Sequence, residues 1–273
     1  MVAGLDQIVA ATRRRVADAK GSANLRELER RAQEHVPRGF RRALAARGRT
    51  RMAVIAELKK ASPSRGLIRA NFDPAHLAQE LEAAGAAALS VLTDEEFFQG
   101  SLENLRSASS STKLPCLRKD FIVDEFQLLE ARAHSGDAVL LIVAVLSKAE
   151  LIALIAKARA MGLDVLCEAH EEEELRGAID AGCDLIGVNN RNLRTFKVDP
   201  QTTFRLAAMI PKDVLAVAES GIENGADVAR SRSAGYQAFL IGESLMKAES
   251  PGAALRSLLA EAEREPSPLA VKS

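Results

Sequence analysis

Short apolar segments rich in β-branched residues recur along the chain, and each has the length of a strand buried on both faces. Eight of them are found, at 52–58, 88–92, 114–118, 138–145, 164–167, 185–188, 214–218 and 238–241. Segments with helical periodicity lie between them, at 75–84, 102–110, 125–134, 148–160, 171–181, 200–209 and 223–234. This alternation predicts βα units arranged around a parallel sheet.

Proline and glycine mark the ends of several predicted helices. Asp73 and Asp199 are each followed by proline, which is the pattern of an N-cap residue with proline in the first turn. Glycine stands where a helix should stop and the next strand begin, at Gly85, Gly136, Gly162, Gly182 and Gly235. These signals support the boundaries of the βα units.

Eight βα units predict a single closed (β/α)8 TIM barrel over residues 49–265. The alternative, an open doubly wound sheet, would normally carry a GxGxxG turn after its first strand, and the turn at 60–66 has none. Residues 1–48 predict an N-terminal extension of two or three helices with breaks at Pro37 and Gly48. This extension should cap the bottom of the barrel or lean over its mouth, and residues 266–273 should form a C-terminal tail.

The charge balance argues against a polyanionic partner. The 273 residues carry 37 Lys and Arg against 37 Asp and Glu, and the arginine clusters at 13–15 and 41–42 are expected on solvated helix faces. The longest apolar run, 138–146, has the length of a strand, and the first residues lack the apolar core of a signal peptide. We therefore expect a cytoplasmic protein that binds neither nucleic acid nor membrane.

Cysteine and histidine give no sign of a disulfide framework or a metal site. Cys116, Cys167 and Cys183 form no CxxC pair, so reduced thiols are expected. The histidines at 35, 76 and 134 fall at unconnected places in helices. His170 alternates onto the same face as Glu168 and is either its partner or a surface residue; we expect a surface residue.

Polar residues stand at the C-terminal ends of the predicted strands, where a parallel barrel forms its active face. Glu57 and Lys59 are two residues apart on an extended segment, so both side chains point to the same face. Other strand ends contribute Lys119, Glu168, Asn189 and Glu219. A structural ion pair would explain Glu57 and Lys59 alone, but burying the whole set without a ligand would cost several kcal/mol.

Two further strand ends have glycines suited to a phosphate. Ser220-Gly221 and Gly242-Glu243 follow the last two strands, where barrels frequently bind phosphate through backbone N–H groups. Either glycine alone could simply form a tight turn. Glu243 would contribute its backbone N–H to the phosphate, and its side chain would have to point away.

Phenylalanines follow the second and third strands, at Phe97, Phe98 and Phe121. Such side chains line an aromatic substrate's pocket or pack beneath loops, and the sequence favours neither interpretation.

Seven strings in order along the chain carry a family resemblance: ELKKASPSRG at 57–66, SVLTDEEFFQGS at 90–101, LRKDFIVDEFQ at 117–127, CEAH at 167–170, GVNNRNL at 187–193, AESGI at 218–222 and LIGESLM at 240–246. Together they resemble the indole-3-glycerol phosphate synthase family. The resemblance implies ring closure of 1-(2-carboxyphenylamino)-1-deoxyribulose 5-phosphate with loss of carbon dioxide and water, in tryptophan biosynthesis. It implies no metal or organic cofactor, and a monomer or weak homo-oligomer is expected.

The resemblance also implies roles for the residues. Lys119 would be the general acid for ring closure and Glu168 the general base, while Lys59 would hold the substrate carboxylate and is a second candidate for the acid in dehydration. Glu57, Asn189 and Glu219 would complete the polar shell. Substrate or phosphate contacts would come from Ser62, Arg191, Ser220, Gly221 and Gly242.

Two other functional classes remain open from the sequence. A lysine at a barrel mouth, Lys119 or Lys59, could form a Schiff base as in an aldolase, which borohydride would trap. A silent phosphate-binding scaffold or assembly partner would show degraded strand ends, and the strand ends here are intact.

Overall fold

The computed structural model describes residues 4–264. Eight parallel strands form a closed barrel in which each strand pairs with its neighbours in sequence and the last pairs with the first. The strands are β1 (Ala53–Leu58), β2 (Ala88–Leu92), β3 (Cys116–Lys119), β4 (Ala138–Ile142), β5 (Asp164–Ala169), β6 (Leu185–Asn189), β7 (Leu215–Glu219) and β8 (Ala238–Ile241). The predicted (β/α)8 barrel is confirmed.

Helices precede the barrel and then surround it. The first three are α1 (Leu5–Ser22), α2 (Leu25–Glu34) and α3 (Phe40–Thr50). The others are α4 (Pro74–Ala83), α5 (Glu95–Phe98), α6 (Leu102–Ser110), α7 (Phe126–Ala133), α8 (Lys148–Ala160), α9 (Glu172–Asp180), α10 (Gln201–Ala207), α11 (Gly225–Ser233), α12 (Glu243–Lys247) and α13 (Pro251–Arg264). A short hairpin, Ala61–Ser62 with Gly66–Leu67, follows β1.

One predicted strand is too long. The apolar run at 138–145 stays extended only to Ile142, and Val143–Val145 form a 3-10 turn. Ile142 is the last β4 residue that pairs with β5, opposite Glu168. The sequence remains apolar after Ile142 because Val143 also packs against the core. The end of the strand therefore cannot be recognised from a change from apolar to polar residues.

Two apolar layers hold the barrel. Side chains that point outward pack against the helices, and those that point inward fill the barrel, among them Ile55, Leu117, Leu166 and Val217. Because side chains alternate along a strand, each strand contributes to both layers. The barrel interior is filled by apolar side chains, so reactive polar groups can lie only at the strand ends.

The N-terminal helices pack at both ends of the barrel. On α3, Phe40 and Leu44 are fully buried beneath the strands, while Leu5 and Ile8 of α1 are buried at the mouth. Gly48 lies inside α3, so the predicted break there is wrong. A Cβ at Gly48 would come within 3.2 Å of the Gln237 carbonyl oxygen, so this glycine permits close packing within the helix.

Asp137, just before β4, joins the N-terminal segment to the barrel. Its carboxylate is fully buried and accepts hydrogen bonds from the Arg38 guanidinium and the Cys116 backbone, and it lies 3.0 Å from His35 Nε2. Burial would raise the pKa of Asp137, but His35 and Arg38 outweigh burial and hold it below its usual value. The ionised carboxylate therefore contributes to stability.

Two arginines expected on solvated faces make part-buried contacts instead. Arg15 of α1 reaches Asp94 at 3.0 Å and Asp120 at 3.3 Å, which fixes the helix over the mouth. Arg41 donates from its backbone N–H to Asp164 and from its guanidinium to the Asp184 carbonyl. The sequence could not show these contacts because their acidic partners are distant along the chain.

The prediction of three reduced thiols is also wrong. Cys167 of β5 and Cys183, in the turn before β6, form a disulfide with a Cα–Cα distance of 6.5 Å. Their sixteen-residue separation hides the pairing, but β5 and β6 are adjacent in the barrel and bring the two residues together. Cys116 is free and buried.

Across residues 4–264, no helix is both long and apolar enough to cross a membrane. The predicted tail at 266–273 lies outside the described residues.

Candidate active site

A cavity of about 600 Å³ opens at the C-terminal ends of the strands. Every site residue predicted from the sequence lines it: Glu57, Lys59, Ser62, Phe98, Lys119, Phe121, Glu168, Asn189, Arg191, Glu219, Ser220, Gly221, Gly242 and Glu243. Sequence reasoning missed further lining residues, among them Leu5, Ile8, Arg65, Asp94, Asp120 and Lys247.

Lys119 lies between two buried carboxylates. Its Nζ is 2.6 Å from Glu168 Oε2 and 3.4 Å from Glu219 Oε2. Burial alone would lower the pKa of Lys119, but Glu168, Glu219 and Glu57 outweigh burial and hold it above its usual value. The Lys119 side chain is therefore protonated at neutral pH.

Glu168 is held in its ionised form. Burial would raise its pKa, but Lys119 and His170 outweigh burial and hold the pKa below its usual range. A carboxylate that is ionised and aimed into the cavity fits the role of a base.

Glu219 has the opposite tendency. Burial, reinforced by the neighbouring Glu168 and Glu57, raises its pKa above the ordinary value, although Lys119 opposes this. Its Oε1 has no hydrogen-bond partner among the described residues. A Cβ at Gly187 would lie 2.0 Å from this oxygen, so the glycine in β6 is what makes room for Glu219.

A second lysine–carboxylate pair forms at the end of β1. Lys59 Nζ is 2.6 Å from Glu57 Oε1. A Cβ at Gly242 would lie 2.5 Å from the same oxygen, so Gly242 serves packing against Glu57 as well as forming a turn. Asn189 at the end of β6 accepts a hydrogen bond from the backbone of Arg191, which orders the following loop.

Three cations surround Glu243 at one side of the cavity. Lys247 Nζ lies 2.6 Å and Arg65 Nε 2.9 Å from Oε1, and Arg191 Nη2 lies 3.2 Å from Oε2. The Glu243 side chain turns toward these three cations. Glu243 and Lys247 are four residues apart on α12, and this spacing in the sequence predicts an ion pair on one helix face. Arg65 comes from the loop after β1 and left no such signal.

The turn after β7 has unusual backbone geometry. Ser220 and Gly221 both have positive φ, 65° and 76°. Successive backbone N–H groups in such turns can form a concave site for anions.

Two phenylalanines form an aromatic wall of the cavity. The rings of Phe98 and Phe121 are 6.4 Å apart and tilted by 41°, and both line the cavity. Phe97 does not line it and packs against the apolar interior. The sequence had left these functions undecided.

The structure corrects the interpretation of His170. Its side chain is only 10% exposed, with Nε2 3.3 Å from Glu168 Oε1 and Nδ1 3.0 Å from Glu174 Oε2. It is therefore a partner of Glu168, because α9 starts directly after the strand end and folds Glu174 back over the ring.

No group of three or more His, Cys, Asp or Glu side chains in residues 4–264 is arranged to hold a metal ion. The cavity is lined by lysine and glutamate side chains, by the turns after β7 and β8, and by two phenylalanine rings.

A (β/α)8 barrel with buried lysine–carboxylate pairs at its mouth defines a barrel enzyme of acid–base chemistry. Residues 5–258 match the family model described as Indole-3-glycerol phosphate synthase. The chain belongs to the indole-3-glycerol phosphate synthase family, carboxy-lyases of tryptophan biosynthesis.

Relatives with this name match along almost their full length. An indole-3-glycerol phosphate synthase from Koribacter versatilis is 59% identical over 259 residues, covering 95% of this chain and all of the relative. One from Burkholderia vietnamiensis is 49% identical, covering 92% of this chain and 97% of the relative.

Solved structures at low identity share the fold. Thiamine phosphate pyrophosphorylase from Pyrococcus furiosus is 15% identical with a TM-score of 0.59, over 78% of this chain and 96% of its own. A lactate oxidase from Pediococcus acidilactici is 16% identical with a TM-score of 0.59, over 88% of each chain. At this identity the likeness shows the barrel alone.

Proposed function

We propose that the family's reaction takes place in the cavity at the strand ends, with roles that follow from its contacts. The substrate, 1-(2-carboxyphenylamino)-1-deoxyribulose 5-phosphate, would give indole-3-glycerol phosphate, carbon dioxide and water. It has a phosphate, a carboxylate and an aromatic ring, and the cavity has a matching surface for each.

The phosphate would bind beside Arg191, with Arg65 and Lys247 nearby. Backbone N–H groups of the Ser220-Gly221 turn and the Gly242-Glu243 turn would donate to its oxygens. Burial opposes the charge of Glu243, but Lys247, Arg65 and Arg191 hold its pKa below the ordinary value. Glu243 would keep these cations in place around the anion.

The aromatic carboxylate would pair with Lys59, and the ring would pack against Phe98 and Phe121. Ser62, at the mouth in the loop after β1, would donate a hydrogen bond to the substrate. This anchor holds the ring until carbon dioxide leaves.

Ring closure needs a proton on the ketone oxygen. The ring carbon that bears the carboxylate attacks the ketone carbon, while Lys119 donates its proton to the oxygen that becomes a hydroxyl group. Loss of carbon dioxide then returns the bonding electrons to the ring. Glu219 Oε2, 3.4 Å from Lys119 Nζ, would hold the ammonium group in position.

Dehydration needs a base and an acid. Glu168 would remove the proton next to the new hydroxyl group, and Lys59 or Lys119 would donate a proton as that hydroxyl leaves as water. Glu57 at 2.6 Å would orient Lys59, and Asn189 would complete the polar shell.

The single observation that carries this proposal is Lys119 held 2.6 Å from Glu168 inside the cavity, a charged acid beside an ionised base. The raised pKa of Lys119 also argues against the Schiff-base alternative, because an imine forms only from a neutral amine.

The test combines product analysis with borohydride. Purified protein mixed with the substrate should release carbon dioxide and indole-3-glycerol phosphate in equal amounts, and borohydride should leave the protein mass unchanged. A reduced adduct on Lys119 or Lys59 would replace this proposal with the aldolase-type one.

We also propose a cytoplasmic protein that acts as a monomer or weak homo-oligomer and binds no nucleic acid. The exposed large apolar side chains of the described residues lie on separate elements, which supports weak self-association: Leu25, Val36, Leu67, Ile152, Val198 and Phe204. Light scattering across a concentration series tests the oligomeric state, and a stable large assembly would contradict it.

A further inference from the structure

His170 lies between two carboxylates, one of which, Glu168, lines the cavity. It lies directly after β5, with Nε2 3.3 Å from Oε1 of Glu168 and Nδ1 3.0 Å from Oε2 of Glu174. One carboxylate belongs to the strand end and the other to the first turn of α9. The imidazole thus connects the proposed base to the outer helix layer.

Glu174 fixes both the backbone and the ring of His170. The same Oε2 that faces the ring also accepts a hydrogen bond from the His170 backbone N–H at 2.7 Å. A ring held in this way has little freedom to turn away from Glu168.

The two oxygens of Glu168 have different partners. Oε2 lies 2.6 Å from Lys119 Nζ, and Oε1 faces His170. The contact with His170 is a 3.3 Å ion pair and not an aligned hydrogen bond among the described residues. Cations on both sides therefore define the plane of the carboxylate.

We propose that His170 is a positioning residue of this enzyme: its imidazolium, held by Glu174, fixes the Glu168 carboxylate opposite Lys119 so that Glu168 is aimed at the substrate. The inference rests on the proposed role of Glu168 as the base. It assigns no substrate contact to His170 itself.

The charge of the ring supports this role. The carboxylates that act on it are Glu168 from β5 and Glu174 from α9. Burial would lower the pKa of His170, but these two carboxylates raise it to about 10. The imidazole is therefore a cation throughout the neutral pH range, unlike a histidine with an ordinary pKa near 6.5.

The first test substitutes the ring. His170→Gln should lower kcat by about tenfold or more with little change in KM, because the base is misaimed while the substrate contacts remain. His170→Lys retains a positive charge and should recover most of the loss. His76→Gln, on an exposed helix position, is the matched control and should behave as wild type.

The second test needs no turnover. In an NMR titration of wild-type protein, the His170 ring, assigned by comparison with His76→Gln, His134→Gln and His170→Lys, should remain protonated through about pH 8. A midpoint at the ordinary value would overturn the inference, even if His170→Gln failed to fold. Glu174→Gln should lower that midpoint and reduce kcat in the same direction as His170→Gln.

Glu168→Gln, measured in parallel, separates this inference from the proposed function. If Glu168→Gln is inactive while His170→Gln keeps wild-type kcat, the positioning role is wrong and the base assignment stands. If Glu168→Gln retains turnover, the base assignment is wrong, and the positioning role is wrong with it.

Discussion

Replacing Lys119 by methionine removes the proposed general acid while keeping a side chain of similar length. The lysine is 13% exposed and lies between Glu168 and Glu219. General acid catalysis contributes about 100- to 10,000-fold to rates. We therefore expect kcat of Lys119→Met to fall by this factor, which is about 2.7 to 5.4 kcal/mol of transition-state stabilisation.

The same substitution should change how stability depends on pH. Without Lys119, the buried carboxylates of Glu168 and Glu219 repel each other. One proton bound between them removes this repulsion, so the pKa of the pair rises. A carboxyl whose pKa is raised in the folded state binds its proton more tightly there, so stability falls as pH rises. Burial already raises the pKa of Glu219 in the wild type, so the added effect comes from Glu168, whose pKa Lys119 lowers. Relative to wild type, Lys119→Met should therefore lose stability as pH rises above about 5.

Turnover is measured by the indole emission of the product, which the chain hardly obscures because it has no Trp and one Tyr. Lys113→Met, an exposed lysine just before β3, is the matched control and should retain activity. A Lys119→Met enzyme with kcat close to wild type would refute the general-acid assignment.

Three further substitutions test other parts of the account. Gly187→Ala places a Cβ 2.0 Å from Glu219 Oε1, so kcat should fall by about 100-fold; unchanged kcat would show that the position of Glu219 does not matter. Arg191→Ala should raise KM by about 10- to 150-fold through loss of a charged phosphate contact, while the exposed Arg194→Ala should not; equal KM values would contradict the phosphate assignment. Asp137→Asn should cost about 3–5 kcal/mol in urea unfolding near neutral pH, and the difference from wild type should shrink as acid protonates Asp137 through its lowered pKa. A difference independent of pH would contradict that reasoning.

The barrel and its strand-end residues were predictable for a physical reason. A strand buried on both faces has few polar residues, so those at its end, such as Lys119 and Glu168, stand out against an apolar run. Parallel closure then brings all strand ends to one mouth, whatever the separation along the chain.

The remaining contacts depend on geometry that sequence patterns do not show. His170 is buried because the first turn of α9 covers its ring. The alternation of side chains along a strand does not show whether this residue is buried or exposed. Cys167 and Cys183 meet through strand order, and Arg65 reaches Glu243 from a different loop. Gly48 resembles a helix end but serves close packing with Gln237.

The most direct test of the central claim is conversion of the carboxyphenylamino-deoxyribulose phosphate by the purified chain, followed through indole emission with a chelator present throughout. Emission should rise with the wild-type protein, and Glu168→Gln should abolish this rise. A flat trace from folded wild-type protein, or an equal rise from Glu168→Gln, would contradict it.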